Sequence, residues 1–87
     1  MMANRDQMEE CMEKAEGIIE EAQKVFDDAR RVQPGTDEEY TNAQMMLEEI
    51  SGELDDVLRA ATPEQRDQLN RKQQQIRQLQ NHMILRQ

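Results

Sequence analysis

The side chains best suited to covalent or metal chemistry are a single cysteine and a single histidine, Cys11 and His82. A thiol becomes a nucleophile as its thiolate, which forms readily only where nearby cations lower the thiol pKa. Glu10 and Glu13 lie beside Cys11 in sequence, and their negative charges oppose ionisation. We therefore expect Cys11 to be a small buried residue and not a reactive thiol.

His82 has the chemistry of a metal ligand, but its sequence neighbours do not supply the rest of a site. A helical metal site needs a second ligand about one turn away, and the position three residues earlier is Leu79. Cys11 is expected at the opposite end of the fold, too far away to complete a zinc site. We predict a surface histidine, no metal and no cofactor.

Pairs of adjacent carboxylates are a third candidate for chemistry. Neighbouring helical residues point about 100° apart, so the two carboxylates of a pair do not converge on one proton or one ion. They also lack the alternating acids and central glycine of a calcium-binding loop. Without converging groups for acid–base catalysis, we predict a solvated acidic face and no enzymatic activity. Four such pairs are Glu20-Glu21, Asp27-Asp28, Glu48-Glu49 and Asp55-Asp56.

The glycines do not form a phosphate-binding loop, because they are isolated from one another in the sequence. Gly17 and Gly52 fall in the middle of helical patterns, where each costs about 1 kcal/mol relative to alanine. Both are expected at outward positions of one hairpin, at the same level. The alternatives are a waist where another helix packs closely, or two tolerated surface glycines.

The composition of the whole chain is close to that of disordered proteins. Leu, Ile, Val and Phe together make up 15 of 87 residues, and the formal net charge is −8. A globular fold is therefore expected only because the apolar residues recur with a regular period. The absence of Trp and the presence of one Tyr and one Phe leave no platform for stacking nucleic-acid bases.

The charge and the hydropathy pattern limit the partners and the compartment. An acidic chain is poorly suited to bind nucleic acid or an anionic membrane, because phosphate binding needs a basic surface. No apolar run reaches the roughly 18 residues that a membrane span needs, and the first residues lack the apolar region of an export signal. We expect a cytoplasmic protein, in keeping with a single cysteine that cannot form an internal disulfide.

Apolar residues recur every seven positions in three consecutive segments. The first segment contains three such rows, which is the wider stripe of a helix that faces two neighbours. The rows continue in the second segment with Leu47 and Leu54, and in the third with Leu69, Ile76 and Met83. These patterns predict three helices, at about residues 4–32, 37–61 and 63–86, in a single domain of residues 1–87.

Start and stop signals separate these segments. Pro34-Gly35 ends the first helix, since proline cannot continue a helix and glycine allows the turn. Thr36 then opens a capping box with Glu39. A second box follows, in which Thr62 is the N-cap, Pro63 takes the first helical position and Gln65 can return the bond.

The fold that these helices favour is an all-α, three-helix antiparallel bundle with coiled-coil-like heptad packing. Folding at the two breaks sets Ala15 beside Leu54 and Ala22 beside Leu47, so that small residues face large ones. The second segment, with eight acids and one base, would lie beside the third, with two acids and five bases. The rival topology keeps the second and third helices as one rod kinked at Pro63 and closes the bundle with a second chain.

Four large apolar residues fall outside the main heptad rows. Met45 and Met46 lie near the start of the second helix, and Ile84 and Leu85 lie near the end of the third. Exposed apolar residues of this kind can mark an interface, and methionine adapts to varied partners. We predict that these four residues bind a protein partner or a second copy; the alternative is that they cover the core.

Three segments carry a resemblance to a known family: residues 42–48 (NAQMMLE), 64–69 (EQRDQL) and 79–85 (LQNHMIL). They resemble small uncharacterised helical proteins from spore-forming bacilli. The similarity covers about the last fifty residues, and the first helix is similar in pattern. The resemblance implies a bacterial cytoplasmic setting, assigns no activity and favours a protein that is not an enzyme.

The sequence therefore predicts a small cytoplasmic protein-binding or adaptor module without catalytic activity. One alternative is a structural protein that self-associates as a dimer of helical hairpins. Another is a small nucleic-acid-associated regulator that uses the basic residues of the third helix. We expect Arg71, Lys72 and Arg77 to pair with the acidic second helix instead, and we expect no nucleic-acid, membrane or small-molecule partner.

Overall fold

The computed structural model describes residues 5–31 and 37–86, which form three helices. They are α1 (Arg5–Arg31), α2 (Asp37–Arg59) and α3 (Pro63–Arg86), of 27, 23 and 24 residues. Every helix contacts both others, in a rod with extents of 47 × 19 × 15 Å. The predicted all-α three-helix bundle is confirmed. The predicted turn at Pro34-Gly35 and the capping box opened by Thr36 lie outside the described residues.

Hydrogen bonds between distant residues show that α3 folds back along α2. The Tyr40 hydroxyl donates to the backbone carbonyl of Met83 at 2.7 Å, and the Ser51 hydroxyl donates to Oε1 of Gln73 at 2.9 Å. These pairs are 43 and 22 residues apart in sequence and lie in reverse order along the two helices. The helices are therefore antiparallel within one chain, and the rival rod kinked at Pro63 is not the observed topology.

The last turn of α2 tightens before the chain reverses. The amide of Ala60 donates to the carbonyl of Val57 at 3.1 Å, and the amide of Ala61 donates to Leu58 at 3.2 Å. Bonds over three residues close a narrower turn than the α-helix and are common where helices end. They satisfy carbonyls that would otherwise lack a partner beyond Arg59.

The start of α3 has the predicted capping box. The backbone amide of Gln65 donates to Oγ1 of Thr62 at 3.3 Å, and the amide of Thr62 donates to Oε1 of Gln65 at 3.0 Å. The carbonyl of Thr62 also accepts the first helical bond, from Arg66 at 2.8 Å. Pro63 occupies the first helical position, where no amide donor is needed. These reciprocal bonds fix the point at which α3 departs from α2.

The core is one cluster to which all three helices contribute. Leu47 and Leu54 of α2 are fully buried, as predicted, and Ala15 and Ala22 of α1 are equally inaccessible. Alanines on α1 let the two helices approach closely, so the leucines fill the space between them. The other fully buried large side chains are Ile50, Leu69, Ile76 and Met83.

The ion pairs between helices differ from the expected pairing of α2 with α3. Lys72 of α3 pairs with Glu16 of α1, and Arg71 pairs within α3 with Asp67 at 3.2 Å. Lys72 lies on the side of α3 that borders α1, so its side chain, 18% exposed, reaches the nearer helix. The expectation that Lys72 and Arg71 pair with α2 is wrong. Surface pairs of this kind contribute about 0–1 kcal/mol each, so packing holds the bundle together.

Candidate protein-binding surface

The carboxyl-terminal half of α3 exposes a surface with little charge. From residue 73 to residue 85, the only formal charge is that of Arg77. In α1, by contrast, most of the exposed side chains that the structure describes are Asp, Glu, Lys or Arg. We call this part of α3 the amide surface. Its exposed residues are Gln74, Gln75, Arg77, Gln78, Asn81, His82, Ile84 and Leu85.

An open groove runs between this surface and α1. Its apolar residues are Ile19 and Leu79, and amide and imidazole groups form the rest, in a volume of about 200 Å³. At its edge, the His82 ring stacks on Phe26, with 6.2 Å between ring centroids and 24° between ring planes. The groove thus combines apolar contact with hydrogen-bonding groups of no net charge. The polar residues that line it are Gln23, Gln75, Gln78 and His82.

A buried glutamine fixes the other side of the amide surface. Gln73 is 3% exposed, and its Nε2 donates to the carbonyl of Ser51 at 2.9 Å and to Oδ1 of Asp55 at 2.7 Å. Its Oε1 accepts the bond from the Ser51 hydroxyl. The amide is fully partnered, so it holds α3 against α2 at one register without leaving an unsatisfied buried group.

Sequence reasoning missed Gln73, although its spacing offered a signal. It lies four residues after Leu69 and three before Ile76, which places it on the apolar side of α3. A polar residue at such a position must find partners on the neighbouring helix, because an unpaired buried amide is costly. Ser51, two turns before Leu58 on α2, is the polar residue at the matching level.

The four residues predicted to bind a partner are all exposed. Met45 is 56% exposed, Met46 40%, Ile84 60% and Leu85 81%, so Leu85 in particular makes almost no contact within the chain. They are the large apolar side chains that stay exposed in the part of the chain that the structure describes. Exposure does not by itself bring them together, and their positions on the helices decide which of them can share a partner.

The two methionines point to different sides of α2. Glu53, seven residues after Met46, reaches Lys14 of α1 with 3.0 Å between Oε2 and Nζ. Residues seven apart lie on one helical stripe, so Met46 borders α1. Met45 points about 100° away from Met46, on the outer side of α2 beyond Asp55.

The two residues at the end of α3 are divided in the same way. Ile84 lies three turns after Gln73 on the same stripe, and therefore borders α2. Leu85 lies two turns after Gln78 and continues the wall of the groove beside α1. Met45 and Ile84 thus flank one side of the bundle, whereas Leu85 and Met46 lie elsewhere.

Cys11 has the surroundings of an unreactive thiol. It is 8% exposed, and burial together with the Glu53 carboxylate raises the pKa of the thiol, against the opposing charge of Lys14. A raised pKa keeps the sulfur protonated near neutral pH, where only the thiolate is nucleophilic. The expected burial of Cys11 is therefore what the structure shows, with Glu53 as the main acidic neighbour.

No group of three or more His, Cys, Asp or Glu residues that could hold a metal ion occurs within residues 5–31 and 37–86. His82, predicted to be a surface residue, is exposed and stacks on Phe26. Across the same described stretches, no helix has the length and apolar character needed to cross a bilayer.

Comparison with known proteins confirms the resemblance and extends it to the first helix. The model of a family described as "Protein of unknown function (DUF2524)" matches residues 2–85. A protein of Bacillus subtilis (strain 168), named "Uncharacterized protein YtzC", is 32% identical over 84 residues, which are 97% of this chain and 93% of that protein. No solved structure matches the chain. By the extent of the family match, this chain is a member of the DUF2524 family.

Proposed function

We propose that this chain is a non-catalytic, cytoplasmic protein-binding module that engages its partner through the amide surface of α3 and the exposed apolar residues beside it. The observation that carries this proposal is the contrast between that surface and the rest of the molecule. A chain of net charge −8 keeps the stretch from Gln73 to Leu85 free of formal charge except at Arg77. The same stretch ends in two exposed apolar residues, Ile84 and Leu85.

The physical support lies in the cost of removing groups from water. The centres of protein interfaces are depleted of charged side chains, because a charge that loses its water needs a compensating partner. Amides cost less to bury and can bond to a partner's backbone through both donor and acceptor atoms. The amide surface can therefore be covered by another protein at lower cost than the acidic faces of α1.

The groove between α1 and α3 favours a protein over a small molecule. Its volume of about 200 Å³ is below the range of about 300–1,000 Å³ typical of ligand pockets. It is open to solvent between α1 and α3, which suits a segment of a partner protein. Cys11, with its raised pKa, offers no nucleophile, so we assign the module no catalytic role.

Photo-crosslinking tests the proposal directly. A photoreactive amino acid replaces Gln78 or Leu85, both on the amide surface, or replaces Glu20, an exposed residue of α1, as the matched control. We expect protein adducts from the first two positions in the native cell and few from the third. Equal labelling from all three, or none from Gln78 and Leu85, would contradict the proposal.

A further inference from the structure

We infer that a second copy of this chain docks on the side of the bundle formed by α2 and α3, away from α1. The inference rests on the proposed function and names the partner of part of the same surface. We call this side the α2–α3 face. Its residues are Thr41, Met45, Glu48 and Gly52 from α2, and Gln74, Arg77, Asn81 and Ile84 from α3.

Contacts within the chain place these residues on one side. The bond from Gln73 to Asp55 marks the outer edge of the α2–α3 contact. The residues from α2 follow one another at spacings of three and four and so form one stripe beyond Asp55. Those from α3 have the same spacing, and Ile84 shares the stripe of Gln73. All eight are exposed.

The length of the bundle is sufficient for an interface of ordinary size. A standard protein interface hides roughly 800 Å² on each partner. The rod is 47 Å long, so a face formed by two helices along it can supply such an area.

The opposite net charges of α2 and α3 favour one orientation of two such faces over the other. The segment that contains α2 has eight acids and one base, and the segment that contains α3 has two acids and five bases. A two-fold axis across the helices would set α2 against its own copy, and acid would face acid. A two-fold axis parallel to the helices sets α2 of each copy on α3 of the other, which brings opposite charges together.

The same axis aligns the two unpaired charges of the face. Glu48 and Arg77 form no ion pair with any residue in the described part of the chain. The contacts of Tyr40 with Met83 and of Ser51 with Gln73 set their levels, which differ by about 2–3 Å along the bundle at 1.5 Å per residue. A two-fold axis along the bundle leaves the height of each residue along the helices unchanged. Glu48 of each copy therefore lies opposite Arg77 of the other, which gives two ion pairs in the dimer.

Gly52 is the last residue of the stripe on α2, and the fold of a single chain does not require a glycine at this position. A Cβ added there would meet nothing within 4 Å, so no neighbour in the chain forces a glycine at this position. In the dimer, the missing side chain lets the facing α3 approach the backbone of α2. Met45 and Ile84 then supply the apolar contact at one end of the face.

A charge-reversal cycle on the whole chain tests the inference. Arg77→Glu and Glu48→Arg are prepared singly and together, with Glu20→Arg and Lys24→Glu of α1 as charge-matched controls outside the face. Sedimentation across a wide concentration range measures the dimer dissociation constant, and circular dichroism checks helix content. We expect a parent dimer, weakening of about tenfold or more in each single variant, and recovery in the double variant. The controls should dimerise like the parent.

The alternative outcomes separate this inference from the proposed function. A parent that stays monomeric at every concentration, or a double variant that does not recover, overturns the inference. Either result leaves the proposed function in place if Gln78 and Leu85 still crosslink to a different protein. A dimer that follows the charge cycle, without any crosslink from Gln78 or Leu85, supports docking at the α2–α3 face and contradicts the proposed function.

Discussion

Gln73 is the residue that most clearly ties chemistry to architecture in this bundle. Its amide is buried and makes three hydrogen bonds to Ser51 and Asp55 of α2. A slip of α3 by one turn would bring other side chains opposite and leave this amide without partners in a site closed to water. Gln73 therefore selects one register of α3 on α2, a role that a leucine at the same position could not perform.

Two substitutions of Gln73 distinguish its effect on the register of α3 from its effect on the stability of the fold. Gln73→Ala should lower the free energy of unfolding by about 1–3 kcal/mol, because the carbonyl and hydroxyl of Ser51 lose their partners and a void remains. Gln73→Leu should unfold at a denaturant concentration near that of the parent, but with broadened amide resonances from several registers. Chemical denaturation and NMR measure the two effects. A sharp, single-state spectrum for Gln73→Leu would remove the register role.

Cys11 should make the free energy of unfolding decrease as the pH becomes alkaline. Burial and then Glu53 raise the pKa of its thiol in the folded chain above the ordinary value of 9.0. The folded state therefore binds this proton more tightly than the unfolded state does. The resulting contribution to the free energy of unfolding is complete below pH 9 and is lost as the pH rises through the folded pKa. Between about pH 8 and about pH 10, the parent should lose more unfolding free energy than Cys11→Ala.

The measurement is a pair of urea titrations, for the parent and for Cys11→Ala, at each pH. The variant is the matched control, since all other ionisable groups are common to both proteins and their contributions cancel in the difference. Parallel decreases in the two proteins would show that Cys11 contributes no proton linkage.

At the scale of elements, the structural features that residues close together in sequence specify could be predicted. Thr62, Pro63 and Gln65 sit within one turn, so their mutual bonds follow from local sequence and mark the start of α3. The heptad rows likewise predicted that Leu47 and Leu54 would be buried, because apolar periodicity defines one face of a helix.

Contacts between helices were less predictable, because they depend on which flank of each helix meets which neighbour. The net charges of the segments suggested that Lys72 would turn toward α2, whereas its position on α3 brings it to Glu16 of α1. The exposure of Met45, Met46, Ile84 and Leu85 was visible as a departure from the heptads. Their division among different sides required the rotation of each helix, which is known only from contacts such as that of Lys14 with Glu53.

The two glycines inside helices offer a test at the same scale. Gly17 and Gly52 are exposed, and an added Cβ would meet nothing within 4 Å at either position. Gly17→Ala and Gly52→Ala should each raise the unfolding free energy of the single chain by about 1 kcal/mol, since alanine restricts the unfolded backbone more than glycine does. Thermal melts of dilute protein measure this gain, with Gln68→Ala as the control for an exposed helical site.

The same pair of variants distinguishes a surface glycine from one at an interface. Gly52→Ala should weaken the dimer, whereas Gly17→Ala, outside the α2–α3 face, should not. If both variants are stabilised and both dimerise like the parent, then Gly52 is tolerated and has no role in docking.

The whole molecule depends on a small number of large buried side chains. Leu47 is fully buried at the centre of the core, and Leu47→Ala should cost about 2–5 kcal/mol because a cavity replaces contacts on both sides. For a chain of this size, that corresponds to a decrease in melting temperature of roughly 8 °C or more. Leu85→Ala, which removes an 81% exposed side chain, is the matched control and should melt like the parent. A melt of Leu47→Ala within about a degree of the parent would mean that the register of the core is different.

An odd number of antiparallel helices also determines how the bundle would carry mechanical load. The start of α1 and the end of α3 lie at opposite ends of a rod of 47 Å. Tension between Asp6 and Leu85 therefore acts along the helices and must slide them past one another, breaking the contacts of Gln73 together with the core. Tension between Asp6 and Glu64, which share one end, peels α1 away turn by turn. Force spectroscopy with these two attachment pairs should give a higher rupture force for the first, and equal forces would show that the helices do not share the load along their length.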